Sequence, residues 1–338
     1  MPSIAIMTAH ARFPWLRQIA GGSDAIGPWR FTIDQMEADC AFLVVYDDPA
    51  SAFETAVPRE RRMLITSEPP GIKPYRAEYL AQFGTVYGPV GDGKNWIRTQ
   101  AALPWFYGVG FEPNGLVANE SLDSLMAMEP PAKEATISVV LSRKSQLPKH
   151  KARLAFVEAA KERLGERFQI FGRGFRDIRD KAEAIRPYAY HLVLENNDIG
   201  HFWTEKTADA YLGWALPIFS GCSNLGDYFP TDSFIPLDIS RTDAALGALE
   251  CILNEAPYSS RLQAIREARM RLLEQYNLFP VLAARAESEG YVSAFTPVRD
   301  MIHPNSRFAP FAGLNALARR AGKSLQAALR PKRTGATP

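Results

Sequence analysis

The sequence predicts an α/β fold of two doubly wound, Rossmann-like halves that face a central cleft. Short apolar, β-branched runs alternate with helix-compatible stretches in the first third of the chain. A polar, Pro-rich stretch at 118–135 interrupts them, and the alternation then resumes through residue 239. Strands separated by crossover helices give parallel sheets with helices on both faces.

In the first half SIAIMT, CAFLVVYD and RMLITS read as buried parallel strands, because they are short and apolar throughout; TVYGPV is a weaker fourth. NESLDSL followed by MEPPAKEA reads as a linker. In the second half TISVVLS is a strand. KARLAFVEAAKERLG is a helix with Leu154, Val157, Lys161 and Leu164 along one face and Gly165 as its stop. RFQIFG and AYHLVLEN are strands, TEKTADAYLGWA a helix, ALPIFSG a strand and DSFIPLDI a short one. FGRGF has a Gly-x-Gly step but no third glycine, so it reads as a strand-to-loop turn rather than a dinucleotide loop. The expected division is 1–130, 131–290 and a C-terminal segment 291–338.

A chain of 338 residues, 46% hydrophobic and 22% charged, can bury a sizeable core. A net charge of +2 gives no overall field that points to nucleic acid. No apolar run approaches the roughly 18 to 20 residues of a membrane span, and MPSIAIMTAH lacks the layout of a signal peptide. Cys40, Cys222 and Cys251 are too scattered for a disulfide framework or a zinc cluster, which fits a reducing cytoplasm.

Polar residues at strand carboxyl ends face the ligand cleft in this fold class. Glu195 and Asn196 end one apolar run; the alternative is a pair that caps the turn. Thr204 stands where an N-cap would, which puts Glu205 and Lys206 in the first helical turn. The exposed N–H groups there suit a diphosphate. Lys206 adds a full charge, and the Glu205 carboxylate can accept two hydrogen bonds from a diol. A capped helix with a surface Glu–Lys pair is the other reading. Glu68 follows a buried strand and precedes Pro69 and Pro70, which fix the backbone at the cleft-facing end of the sheet; a turn glutamate without chemistry is the alternative. Trp105, Phe106 and Tyr107 either stack on a sugar or pack between the halves. Asp47 and Asp48 are adjacent rather than spaced as Asp-x-Asp, so no metal site is expected.

The ordered segments YHLVLENN, WTEKTADAY, LPIFSG and PTDSFI, all within residues 188–239, resemble the donor-binding signature of the α-1,3-fucosyltransferases, glycosyltransferase family ten. That signature is an apolar strand ending in Glu-Asn-Ser or a variant, then Tyr-x-Thr-Glu-Lys, a Pro-x-x-x-Gly strand and Pro-x-Ser-Phe. The stretch from SRKSQLPKHKARLAF to FGRGF is similar to the preceding family segment. The resemblance implies a GT-B arrangement in which 1–130 takes the acceptor and 131–290 the nucleotide sugar. It implies inverting transfer of L-fucose from GDP-fucose to a glycan hydroxyl, α-1,3/1,4-type, with no obligatory cofactor and a divalent cation as at most a stimulant.

In the family an arginine at the start of the helix contacts the donor phosphates. Arg153 matches it, with Lys149 and His150 nearby. A cation there opposes the helix dipole, which points to an anionic ligand; a solvated surface Arg is the alternative. The family's general base comes from a Glu-Ser-Pro element, which Glu68 matches although the order here is Ser-Glu-Pro-Pro. Glu205 would stabilise charge on the sugar ring, and Lys206, Arg153 and the helix start the leaving diphosphate. Phe202 stands where relatives often carry Tyr, and Asn197 where many carry Ser, so one donor contact is lost unless His201 or Trp203 replaces it. A transferase using another nucleotide sugar and a catalytically degenerate nucleotide- or glycan-binding protein stay open.

From Met301 to Pro338 the chain has Lys and Arg but no Asp or Glu. Leu314, Leu317, Leu325 and Leu329 share one helical arc, with Arg319, Arg320, Lys323 and Arg330 opposite. Such a helix can lie on the anionic inner face of the cytoplasmic membrane, pack on the body or pack on another protomer. Some bacterial members of the resembled family end similarly.

Overall fold

The computed structural model describes residues 1–100, 104–143 and 148–309. The tail helix expected over 314–330 lies outside them.

The first half uses β1 (Ser3–Met7), β2 (Ala25–Ile26), β3 (Trp29–Ile33), β4 (Cys40–Tyr46), β6 (Arg62–Ile65), β7 (Thr85–Gly88) and β8 (Trp96–Arg98); β5 (Phe53–Thr55) stands apart. The seven form one sheet ordered β2-β3-β1-β4-β6-β7-β8, parallel except where β2 meets β3. Every residue of β1, β4 and β6 is buried, because helices or the other half cover both faces. The four strands read from sequence are these central ones and β7. β3 escaped notice because Gly27 and Pro28 precede it and Arg30 interrupts its apolar residues, as suits a strand near the sheet edge.

β9 (Val109–Glu112) and β10 (Gly115–Ala118) form an antiparallel hairpin. The segment expected as a linker follows and carries a short helix at Leu122–Ala127, capped by Ser121. The second sheet is built from β11 (Glu134–Val140), β12 (Phe168–Phe171), β13 (Tyr188–Leu194), β14 (Leu216–Ser220) and β15 (Ile235–Pro236). Its order is β12-β11-β13-β14-β15, all parallel. The crossover helix Pro148–Leu164 joins β11 to β12, and Glu205–Leu212 joins β13 to β14. The first of these buries Phe156, Val157, Ala160 and Leu164. Leu154 and Lys161, expected on the core face, are only half-buried. Gly172 makes the turn after β12 with φ +110, and a Cβ there would lie 2.3 Å from the Leu141 carbonyl oxygen. Two α/β halves thus face a cleft, the GT-B-like arrangement expected.

After β15 three helices follow, Thr242–Glu255, Tyr258–Glu274 and Leu278–Ser288. The last returns to the first half, where Phe279 packs edge-to-face on Phe31 with centroids 5.0 Å apart. β16 (Asp300–Ile302) then pairs antiparallel with β5. Cys40 and Cys222 are buried free thiols, whereas Cys251 is exposed. No helix among the described residues is long and apolar enough to cross a membrane.

Candidate active site

Three cavities of about 600 Å³ each lie along the carboxyl ends of the two sheets. One borders β1, β4 and β6 in the first half; one borders β13 and β14 in the second; the third lies between and takes residues from both. They share walls. Arg153 lines the second and the middle cavity, and Glu68 and Glu205 line the middle and the first.

The helix Glu205–Leu212 forms where expected. Thr204 has extended backbone and its hydroxyl accepts from the Lys206 N–H, a side-chain N-cap. Behind it Trp203 packs edge-on against Tyr228, Phe229 and Tyr276, with centroids 5.0 to 5.7 Å apart, which fixes the approach of the chain. Glu195, at the end of β13, turns inward. Its Oε1 accepts from the Thr204 N–H at 2.8 Å and the Thr207 hydroxyl at 3.2 Å, and the Thr204 hydroxyl lies 2.8 Å from Oε2. The Glu195 side chain is fully buried. Gly221 makes room for it, since a Cβ there would come within 2.9 Å of the Glu195 Cγ. Glu195 therefore ties strand end to helix start, at the edge of the second cavity.

Lys206 Nζ sits 3.2 Å from Glu205 Oε1, 3.5 Å from Glu195 Oε2 and 3.1 Å from the Thr204 hydroxyl. Burial alone would raise the Glu205 carboxyl, but Lys206 and Lys181 outweigh it and hold Glu205 well below the usual carboxylate range. Arg153 reaches across from the crossover helix, donating to the Leu194 carbonyl at 2.9 Å and to the Asn196 side chain. Its Nε is buried without a partner among the described residues. Lys149 pairs at the surface with Asp198.

On the opposite side Glu68 is half-buried and its carboxylate has no hydrogen bond or ion pair among the described residues. Burial raises its pKa, and the like charges of Asp47 and Glu205 add to the rise. Its loop is held by Tyr75, whose hydroxyl accepts from the Ser67 N–H at 3.1 Å and the Glu68 N–H at 3.4 Å and donates to Asp47. Lys73 Nζ binds Asp47 Oδ2 at 2.8 Å and Asp48 Oδ2 at 3.2 Å. Among the described residues no three or more His, Cys, Asp or Glu gather as a metal ion would require.

Other expectations fall differently. Trp105 and Tyr107 are wholly buried and so belong to the core. It is Phe106, between them, that lines the first cavity. The three residues lie in a loop before β9, and the sequence triplet alone does not say which of them faces the cavity. Phe202 is buried and lines none of the three cavities. His201, at φ +69, bonds Tyr228 and Asn224 instead. Sequence reading missed Asp209, whose Oδ1 accepts from the Phe106 and Tyr107 N–H groups at 2.9 and 2.8 Å while its Oδ2 pairs with Lys181 at 2.7 Å. A carboxylate on the otherwise apolar face of the helix was the available signal. Tyr75 and Lys181 carried none.

No family model matches the chain, and no curated protein matches it. Among solved structures it is similar to α1,3-fucosyltransferase with GDP-fucose, at 16% identity over 78% of this chain and 82% of that one, TM-score 0.45. It is similar to α1,3-fucosyltransferase with GDP, at 17% identity over 82% and 93%, TM-score 0.45. It is also similar to WaaG, a glycosyltransferase involved in lipopolysaccharide biosynthesis, at 8% identity over 85% and 99%, TM-score 0.41. Likeness at this level says nothing about substrate.

Proposed function

We propose that this chain is a glycosyltransferase that moves a sugar from a nucleoside-diphosphate donor to a hydroxyl of a glycan. Within that class we read the sugar as L-fucose, carried by GDP and transferred with inversion in an α-1,3/1,4-type linkage. One observation carries the reading. Arg153 and Lys206, from separate helices of the second half, line one cavity that Glu68 enters from the opposite half.

The chemistry follows from the charges. A half-buried carboxylate with a raised pKa and no partner among the described residues suits a general base, so Glu68 takes the proton of the acceptor hydroxyl as its oxygen attacks the anomeric carbon. Glu205, kept ionised by Lys206 and Lys181, lies where positive charge grows on the sugar ring. As the bond to the diphosphate breaks, negative charge grows on the leaving oxygen and meets Lys206, Arg153 and the N–H groups of the helix start. Glu195 and Thr204 position that helix, and Asn196 orients Arg153. The second cavity, beyond Arg153, has room for the nucleoside.

Full-length protein offered GDP-fucose, GDP-mannose and UDP-sugars over a glycan panel should release GDP only from GDP-fucose and add one deoxyhexose to a glycan. Arg153→Ala and Lys206→Ala should each lose on the order of 10²–10³ in turnover. Turnover of another nucleotide sugar would change the sugar but keep the class. GDP that fails to bind, or binds equally to Arg153→Ala, sinks the reading. For the basic C-terminal stretch we propose contact with an anionic membrane surface from the cytoplasmic side. Deleting 310–338 should abolish sedimentation with anionic vesicles and leave GDP affinity unchanged; vesicle binding that survives the deletion refutes it.

A further inference from the structure

One wall of the first cavity is a run of rings. Tyr46, Trp15, Phe13 and Phe106 meet edge-on in sequence, with centroids 5.1 to 5.2 Å apart. The run does not stop at the cavity. Phe106 stacks on Phe111 at 6.3 Å and an interplanar angle of 6°, and Phe111 is 48% exposed on the hairpin. Leu116, which also lines the cavity, is paired directly across the hairpin from Phe111 and so shares its face. Val109, two residues before Phe111 on that face, is wholly buried. A face that belongs to the core at one end therefore becomes an open apolar shelf at the other, continuous with the cavity that holds Glu68.

A single exposed Phe needs no explanation. This one is held: its N–H donates to the Arg179 carbonyl at 2.8 Å, and its ring lies flat on a cavity-lining ring. Lys181 Nζ, 5.1 Å from the Phe106 ring centroid, is bound to Asp209 and is not among the residues that line the cavity. Groups able to hydrogen-bond a pyranose, among them His10, Arg12, Asp34 and Ser67, also line the cavity. Phe106, Phe111 and Leu116 offer none. The pocket, at about 600 Å³, exceeds the lower range of small-ligand sites of about 300 Å³, so there is room for more than the accepting sugar.

We propose that this shelf receives an apolar group carried by the acceptor, an aryl or alkyl aglycone attached to the sugar whose hydroxyl Glu68 deprotonates. The inference rests on the transferase reading above. Its test is binding to the full-length chain in the presence of GDP, comparing phenyl with methyl β-glycosides of glucose, galactose and N-acetylglucosamine. The phenyl glycoside should bind about fivefold to tenfold more tightly than its methyl partner, the size of one added aromatic contact. Phe111→Ala should bring that ratio near one, Phe111→Leu should keep part of it, and both should bind GDP like the parent, which shows that they fold. Equal binding of phenyl and methyl glycosides, no binding of either, or a ratio that survives Phe111→Ala overturns the inference. GDP that does not bind at all condemns the transferase reading instead.

Discussion

Glu68 is held at an energetic disadvantage. Its carboxylate is half-buried, near Asp47 and Glu205, and makes no hydrogen bond or ion pair among the described residues; Lys206 and Lys73 offset only part of the rise. Burial comes first among the causes of its raised pKa, and the two like charges follow. A group whose pKa is raised on folding contributes stability below its unfolded pKa and loses it as pH climbs through the folded value. At pH 7 Glu68 is therefore a net cost to the folded state. Glu68→Gln should then separate function from stability. Transfer should fall by about 10² to 10⁴, the usual worth of a general base, while the melting temperature at pH 7 stays level or rises. That gain should shrink as the pH is lowered into the range where the wild-type carboxyl is itself protonated. In the parent chain kcat/KM for the proposed transfer should fall toward acid, with a midpoint above that of an ordinary glutamate. Full activity in Glu68→Gln, or a variant that melts earlier at pH 7, would remove Glu68 as the base.

At the scale of elements, the helix Glu205–Leu212 and the strand before it act as one unit because Glu195 joins them. Its carboxylate accepts from the Thr204 N–H and the Thr204 and Thr207 hydroxyls, and lies 3.5 Å from Lys206 Nζ. Glu195→Gln places an NH₂ group among donors, so it should destabilise the protein by about 2–4 kcal/mol and raise KM for the donor through Lys206. Thr204→Val, which removes only the cap and one hydroxyl, should cost about 1 kcal/mol; Thr204→Ser should restore both stability and KM. Urea unfolding alongside donor KM checks this, and an unchanged KM in Glu195→Gln would show the tie to be structural only. Much of this unit was legible in the sequence, since a Thr before a helical run and a polar pair after an apolar strand are local signals. What Glu195 does was not legible, because whether a strand-end carboxylate faces the cleft or the neighbouring helix depends on Gly221, 26 residues on. The same limit explains Phe106. Three aromatic residues in a row look alike in the sequence, and their placement depends on the backbone N–H bonds of Phe106 and Tyr107 to Asp209, a residue from the other half. The crossover helix shows the converse error. Arg153 occupies its buried face and ends at the cleft, which breaks the apolar pattern that spacing arguments use.

At the scale of the molecule, the chain does not finish the first half when it leaves it. The helix Leu278–Ser288 and β16 come back to it, so the rim around Glu68 depends on residues more than two hundred positions downstream. Asn305 takes the Arg76 N–H at 3.0 Å, donates to the Pro74 carbonyl at 3.0 Å and donates its own N–H to Asp48 at 2.9 Å, on either side of Tyr75, which orders the Glu68 loop. Ile302 is wholly buried against the back of the first sheet. The electrostatic part of this closure is Arg62, a nearly buried guanidinium that donates to the Val57 carbonyl at 2.7 Å and to Asp300 Oδ2 at 2.7 Å. The hydrogen bond from Arg62 is the largest cause of a lowered Asp300 pKa. A depressed carboxyl stabilises the fold above its unfolded pKa and ceases to do so as pH falls through the folded value. Because Asp300 is half exposed, solvent screens part of the attraction, so Asp300→Asn should cost about 1–2 kcal/mol at pH 7. The gap between variant and parent should close as the pH drops below the usual carboxylate range. Transfer should suffer less than stability, because Arg62 stays anchored to Val57 and Asn305 still braces the Glu68 loop. Urea unfolding at pH 7 and at pH 3, with turnover measured at the higher pH, distinguishes the outcomes. A gap that is the same at both pH values would mean that the returning strand is held by packing around Ile302 rather than by this ion pair.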